Sequence, residues 1–138
     1  MVIADTGFWL ALAARRDRYH AQARACLDRL AEPLVTTWPV VTEACYLMVR
    51  DLGPRAGTSF VRDLGRACEL HDLGAEDAVR LSELMDRYAD KPMDLADASL
   101  VLLAERLGHG RLVTTDRRHF DAYRWNEREP FRNLLFEG

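Results

Sequence analysis

Short apolar segments alternate along this chain with longer segments in which apolar residues recur at helical spacing. The predicted strands are Val2–Ala4, Leu34–Thr37, Cys68–Leu73 and Leu112–Thr115, with a last one within Tyr123–Phe136. The first predicted helix begins near Phe8. The other predicted helices cover Ala23–Leu30, Val40–Met48, Pro54–Ala67, Ala78–Tyr88 and Leu95–Leu107. Strands that alternate with helices in this way predict an α/β fold, a three-layer α/β/α sandwich with a mainly parallel central sheet.

Length and composition favour one domain that spans residues 1–138. A chain of 138 residues with 49% hydrophobic and 30% charged residues can bury one compact core but not two. Its cysteines lie far apart without a C-x-x-C pair, which is typical of a reduced, cytoplasmic protein. The first apolar run has no basic stretch before it and is broken by Asp5, so we expect neither a signal peptide nor a membrane span.

Two of the predicted strands end in an aspartate. Asp5 follows Val2–Ala4, and Asp116 follows Leu112–Thr115. In an open parallel sheet the carboxyl ends of the strands form the ligand crevice. We therefore expect both carboxylates to point into this crevice and to face each other.

Three further acids lie where helices can bring them to the same crevice. Asp97 lies in the first turn of an otherwise apolar helix, and Glu43 lies at the border of the apolar face of its helix. Each has a structural alternative: Asp97 could reach back to the backbone of Asp94 as part of a capping box, and Glu43 could be a rim residue. For Asp94 itself, capping of the helix is the favoured interpretation.

Carboxylates that converge in this way require a cation. Several of them in one crevice repel each other and take up protons unless a metal ion neutralises them. Ligands that are all oxygen, without a His or Cys cluster, favour Mg²⁺ or Mn²⁺ over Zn²⁺. Because such ions activate water towards phosphate esters, hydrolysis of a phosphodiester is the expected chemistry.

The charge balance permits a polyanionic substrate. The formal net charge of −3 argues against a polybasic nucleic-acid binder, but the candidate acids alone carry more than this charge. Arginines next to the crevice are candidate phosphate contacts, although they could also be ordinary surface residues. They are Arg15, Arg117 and Arg118.

Other motifs carry less weight. Asp5-Thr6-Gly7 matches the tripeptide of aspartic proteases, but this helix-rich chain does not fit their all-β fold. The histidines have no triad or zinc spacing, and there is no Gly-rich phosphate loop. Trp9, Trp38 and Trp125 are expected in the core or in an interface rather than as base-stacking platforms.

The segments around the acids resemble a known family. In order, they are Ile3-Ala4-Asp5-Thr6, Thr42-Glu43, Asp94-Leu95-Ala96-Asp97-Ala98 and Thr114-Thr115-Asp116-Arg117-Arg118-His119-Phe120. This set, which spans essentially the whole chain, resembles the PIN-domain ribonucleases of the VapC toxin type. The resemblance implies a PIN-like α/β/α sandwich, Mg²⁺- or Mn²⁺-dependent endoribonuclease activity, a homodimer and inhibition by a small VapB-like antitoxin.

The resemblance also implies roles for single residues. Asp5 and Asp97 would be the principal metal ligands, and Asp116 and Glu43 would complete the site directly or through water. Thr114 would orient a water molecule. The RNA sequence that is cut would be selected by loops and by the groove between two subunits.

The same residues would also serve two other functions. One is a housekeeping PIN nuclease in RNA processing, and the other is a catalytically silent PIN-like module that binds RNA or a protein partner. The complete set of acids argues against the silent module, because a module without catalysis has no reason to tolerate their repulsion.

Overall fold

A parallel β-sheet surrounded by helices forms the frame of the molecule. The structure is a computed structural model that describes residues 1–137. The strands are Val2–Ala4 (β1), Leu34–Thr37 (β2), Cys68–His71 (β3), Arg111–Val113 (β4), Arg124–Trp125 (β5), Glu129–Pro130 (β6) and Arg132–Asn133 (β7). The helices are Thr6–Ala13 (α1), His20–Arg29 (α2), Trp38–Leu52 (α3), Pro54–Ala67 (α4), Ala78–Arg87 (α5), Leu95–Leu107 (α6) and Arg117–Ala122 (α7). Within residues 1–137, no helix is long and apolar enough to cross a membrane.

The central sheet has five parallel strands in the order β3-β2-β1-β4-β7. β1 lies in the middle, where Ile3 pairs with Val35 on one side and with Leu112 on the other. Every residue of β1 and β2 is buried, because helices cover both faces of the sheet. The predicted α/β sandwich with a mainly parallel sheet is confirmed.

α6 crosses the interior of the molecule. All its residues from Ala98 to Ala104 are buried. Asp94 caps its start, since Oδ1 of Asp94 accepts a hydrogen bond from the backbone N–H of Asp97 at 2.8 Å. Gly108 ends it in the left-handed conformation with a φ of 77°. The predicted bounds and both predicted end signals of this helix are confirmed.

The strand before Asp116 is shorter than predicted. β4 ends at Val113, so Thr114 and Thr115 belong to the following loop. The reason lies in the hydrogen bonds of Thr114: its N–H donates to the side-chain Oδ1 of Asn133 at 3.2 Å, and its C=O accepts from the Asn133 amide at 2.9 Å. A side chain thus takes the place of a backbone partner at this edge of the sheet.

Smaller differences concern element ends and the tail. α1 begins at Thr6 instead of near Phe8, and β3 ends at His71 instead of Leu73. The region 123–136, which was expected to supply one strand, forms the antiparallel ribbon β5–β6 as well as the edge strand β7.

Candidate metal centre

Carboxylates from separate elements line one cavity at the carboxyl ends of β1 and β4. The cavity has a volume of about 290 Å³, and its acidic lining residues are Asp5, Glu43, Asp94, Asp97 and Asp116. Asp5 directly follows β1, and Asp116 ends the loop after β4. Glu43 comes from α3, and Asp94 and Asp97 come from the start of α6. The structure therefore brings together the acids that the sequence singled out.

A glycine allows the loops after β1 and β4 to meet. The backbone N–H of Asp5 donates to the C=O of Val113 at 3.1 Å, which joins the two strand ends. Two residues further on, at the start of α1, a Cβ at Gly7 would collide with the hydroxyl of Thr115. A residue without a side chain is thus needed for the close approach of these two loops.

Asp5 is the most buried of these acids, with 4% of its surface exposed. Burial raises its pKa to about 6, with smaller contributions from the charges of Glu43 and Asp116. The Thr114 hydroxyl opposes this rise by donating to Oδ2 of Asp5 at 2.6 Å, and it accepts a hydrogen bond from the N–H of Asp116 at 2.9 Å. Thr114 thus links two of the acids through its hydroxyl.

Asp97 is held by a buried tyrosine. The hydroxyl of Tyr123, a residue with no exposed surface, donates to Oδ2 of Asp97 at 2.8 Å. Burial, followed by the charge of Asp5, raises the pKa of Asp97 to about 7. The capping alternative for this carboxylate is wrong, because it bonds to Tyr123 and only the backbone of Asp97 takes part in the cap.

Replacing Tyr123 with phenylalanine should weaken the binding of Mn²⁺ by about 10- to 100-fold, because Asp97 would lose the donor that orients it. Titration calorimetry measures this affinity. Tyr88→Phe is the matched control: its ring packs 5.1 Å from that of Tyr123, but its hydroxyl accepts from the backbone of Arg124 and touches no acid. Equal Mn²⁺ affinities in both variants would show that Tyr123 does not position Asp97.

His119 holds Asp116 from the first turn of α7. Oδ1 of Asp116 accepts from the backbone N–H of His119 at 3.1 Å, and Oδ2 lies 2.8 Å from the ring Nδ1. The other ring nitrogen, Nε2, lies 2.7 Å from the backbone oxygen of Lys91. Both partners are acceptors, so an imidazolium with two N–H donors satisfies both contacts. The Asp116 contact accordingly raises the pKa of His119.

Sequence reasoning missed the roles of His119 and Tyr123. For His119 a signal existed, since it lies three residues after an aspartate that begins a helix, the spacing of a side-chain cap. For Tyr123 there was none, because the aspartate it binds lies 26 residues away along the chain.

Glu43 and Asp94 complete the acidic lining. Glu43 is half-buried, and burial together with the charge of Asp94 raises its pKa. The hydroxyl of Thr6 is a further polar group of this region. It is a buried polar atom of the cavity wall that has no hydrogen-bond partner within residues 1–137.

The donor set fits a hard divalent cation. The cavity offers carboxylate oxygens and an unpartnered hydroxyl, and burial together with the neighbouring acids raises the pKa of Asp5 and of Asp97. Within residues 1–137, no three Asp, Glu, His or Cys side chains are close enough together to coordinate one metal ion as they stand. The arrangement therefore suits an ion held by one or two carboxylates and by water, which is the usual way in which proteins bind Mg²⁺.

The structure does not bring the predicted phosphate contacts to this cavity. Arg15, Arg117 and Arg118 are exposed, and none of them lines it. The guanidinium of Arg117 lies 4.2 Å from the ring centroid of Phe136. Any contact of these arginines with phosphate would lie outside the acidic cavity.

Solved structures with this fold are known. The chain superimposes on Mycobacterium tuberculosis VapC20, described as a sarcin-ricin loop cleaving toxin, with a TM-score of 0.77, 21% identity and coverage of 86% of this chain and 92% of that one. For DNA-bound VapBC from Salmonella typhimurium the TM-score is 0.67 at 17% identity, with 97% of this chain and 99% of that one covered. At these identities the likeness shows the fold alone.

Sequence comparison shows the family. The profile of the PIN domain matches residues 2–126. Over 124 residues the chain is 36% identical to ribonuclease VapC26 of Mycobacterium tuberculosis, covering 89% of this chain and 92% of that protein. The chain therefore belongs to the PIN-domain family and, within it, to the VapC-type ribonucleases.

Proposed function

We propose that residues 1–138 form one PIN domain that acts as a Mg²⁺- or Mn²⁺-dependent endoribonuclease, the toxin of a toxin–antitoxin pair. The observation that carries this proposal is the cavity in which Asp5, Glu43, Asp97 and Asp116 converge from separate elements of the fold. A relative that is 36% identical bears the name ribonuclease, which supports RNA as the substrate.

The acids would hold the cation in unequal ways. Asp5 and Asp97 would be its principal ligands, because both are held by a hydroxyl at one oxygen and keep the other oxygen for the ion. Glu43 and Asp116 would act directly or through water, and Asp94 would add charge at the rim. When bound, such an ion lowers the pKa of water and stabilises the charge that develops on a phosphate.

The residues of the chain prepare the cavity for this chemistry. At neutral pH without metal, Asp97 is partly protonated, so its proton must leave before the carboxylate can serve as a ligand. Thr114, Tyr123 and His119 each hydrogen-bond the carboxylate of one acid, which reduces the freedom that the acids would lose on binding a cation. The exposed Arg15, Arg117 and Arg118 would contact phosphates of the RNA outside the cavity.

A small antitoxin and a second copy of the chain are the proposed protein partners, and the cytoplasm is the proposed compartment. The fold shared with a VapBC complex supports the antitoxin partner. Expression of the protein should arrest growth, and co-expression of the small protein encoded beside it should restore growth. If the protein is an active nuclease but its expression does not arrest growth, the housekeeping function is favoured instead.

Purified protein should cleave a mixed structured RNA when Mg²⁺ or Mn²⁺ is present and leave it intact in EDTA. Gel electrophoresis of end-labelled RNA measures the cleavage, and calorimetry measures Mn²⁺ binding. If the protein binds Mn²⁺ but cuts no RNA in the mixture, the metal site is correct, but RNA is not the substrate and the ribonuclease function fails. If it neither cuts nor binds Mn²⁺, the endoribonuclease proposal fails and a binding module takes its place.

A further inference from the structure

An open apolar groove lies beside the acidic cavity. Its walls are the side chains of Trp38, Tyr46 and Leu95, and we call it the aromatic groove. These side chains are 49%, 66% and 47% exposed, respectively, although all three are large and apolar. The groove has a volume of about 680 Å³, within the range of about 300–1,000 Å³ that is typical of ligand pockets.

Core packing does not account for this groove. Trp38 and Tyr46 of α3 both line this groove, whereas Val40, Ala44 and Met48 of the same helix are buried in the core. α3 thus has two apolar faces, and only one of them is covered within residues 1–137. Trp38 is therefore not part of the core, which leaves only an interface from the two places expected for it. Exposed aromatic residues that line one groove are typical of a binding surface.

The aromatic groove adjoins the acidic cavity. Glu43 and Asp94 line both of them and form the border between the two. A polymer whose phosphate lies at the acids would therefore extend its adjacent unit over Trp38 and Tyr46. In RNA that unit is a nucleotide, whose base has an apolar face for stacking and polar edges for hydrogen bonds.

The charged border favours a nucleobase over a protein partner. A second copy of the chain that covered the groove would bury the exposed carboxylate of Asp94, and charged residues are depleted from the centre of protein interfaces. A base, in contrast, can donate its exocyclic amino group to a carboxylate, as cytosine does to Asp or Glu.

We propose that the aromatic groove binds the nucleobase next to the scissile phosphate, stacked on Trp38 and Tyr46, with its exocyclic amino group donating to Asp94. This proposal rests on the proposed ribonuclease function. The groove would then favour bases that carry an amino group, namely adenine, cytosine and guanine, over uracil. Trp38 and Tyr46 would be substrate-binding residues, and the acids of the cavity would be left unchanged by their removal.

The test compares two RNA oligonucleotides that share one mapped cleavage site. In the second of them, the nucleotides on both sides of the scissile bond lack their bases. Trp38→Ala and Tyr46→Ala should raise KM for the intact oligonucleotide by about 5- to 100-fold, the range expected for loss of one stacked base. They should leave KM for the abasic oligonucleotide and the affinity for Mn²⁺ unchanged. Trp38→Phe should keep most of the binding.

Val79→Ala is the matched control, because Val79 is 69% exposed and lies outside the groove. Thermal unfolding checks that each variant folds, and Tyr46→Ala, the more exposed position, decides the question if Trp38→Ala fails to fold. Equal losses on both oligonucleotides, or none on either, would overturn the proposal. A change in sedimentation of Trp38→Ala without a base-dependent effect would also overturn it and would assign the groove to a second copy.

Failure of this proposal can be told apart from failure of the proposed function. If the wild type cleaves RNA with Mn²⁺ and the groove variants cleave both oligonucleotides as it does, only the nucleobase site is wrong. If the wild type cleaves no RNA while it binds Mn²⁺, the ribonuclease function fails and the nucleobase site is overturned with it.

Discussion

Asp97→Asn is expected to lower the rate of metal-dependent RNA cleavage by at least about 10³-fold. Asparagine keeps the shape of the side chain and an oxygen that can accept from Tyr123, but it lacks the charge that binds a cation. Without metal, the same change should raise the free energy of unfolding at pH 8 by about 1–2 kcal/mol, because it removes a poorly solvated charge that faces Asp5. A variant that loses activity but gains stability is the result expected when the replaced acid belongs to a cluster of acids that binds the cation.

Asp121→Asn is the matched control for this substitution. Asp121 is exposed on α7 and does not line the cavity, so the variant should cleave RNA like the wild type. Single-turnover cleavage at saturating Mn²⁺ and urea unfolding in EDTA measure the two effects. Activity of Asp97→Asn within about tenfold of the wild type would remove Asp97 from the proposed ligands. Joint loss of activity and stability would mean that the variant is misfolded.

The local part of the fold could be predicted from the sequence. The bounds of Pro54–Ala67 and Leu95–Leu107 are as predicted, because proline, aspartate and glycine mark these helix ends by their own backbone chemistry. The end of β4 was misplaced because its last hydrogen bonds go to the side chain of Asn133, which comes from a distant part of the chain. Such a partner leaves no trace in the local apolar pattern.

The acids of the site were predictable for a different reason from the residues that hold them. Asp5 and Asp116 follow apolar strands, and the geometry of parallel sheets places such positions in one crevice. Tyr123 contacts Asp97 across 26 residues, and nothing in the sequence pairs them. The same limit applies to Trp38, since α3 has two apolar faces and periodicity does not say which one packs on the sheet.

Without metal, the protein is expected to gain about 2 kcal/mol of stability as the pH falls from 8 to 5. In the folded state the pKa of Asp97 is about 7 and that of Asp5 is about 6, both above the ordinary value of 3.8. Between pH 5 and pH 8 the folded chain binds protons that the unfolded chain does not, so protonation stabilises the fold. His71 and His109 act in the opposite direction, because their pKa values are lowered in the folded state.

Comparison with Asp97→Asn isolates the contribution of Asp97, since both proteins keep the same histidines and the other acids. Urea unfolding in EDTA at pH 5, 6, 7 and 8 should show a steep rise of stability towards low pH in the wild type and a flatter one in the variant. Mn²⁺ should stabilise the wild type at pH 8 and lose this effect at pH 5, because protons and cations compete for the same carboxylates. If the free energies of unfolding of the two proteins changed with pH in parallel, Asp97 would not be held against Asp5. A cation would then have no excess negative charge to neutralise there.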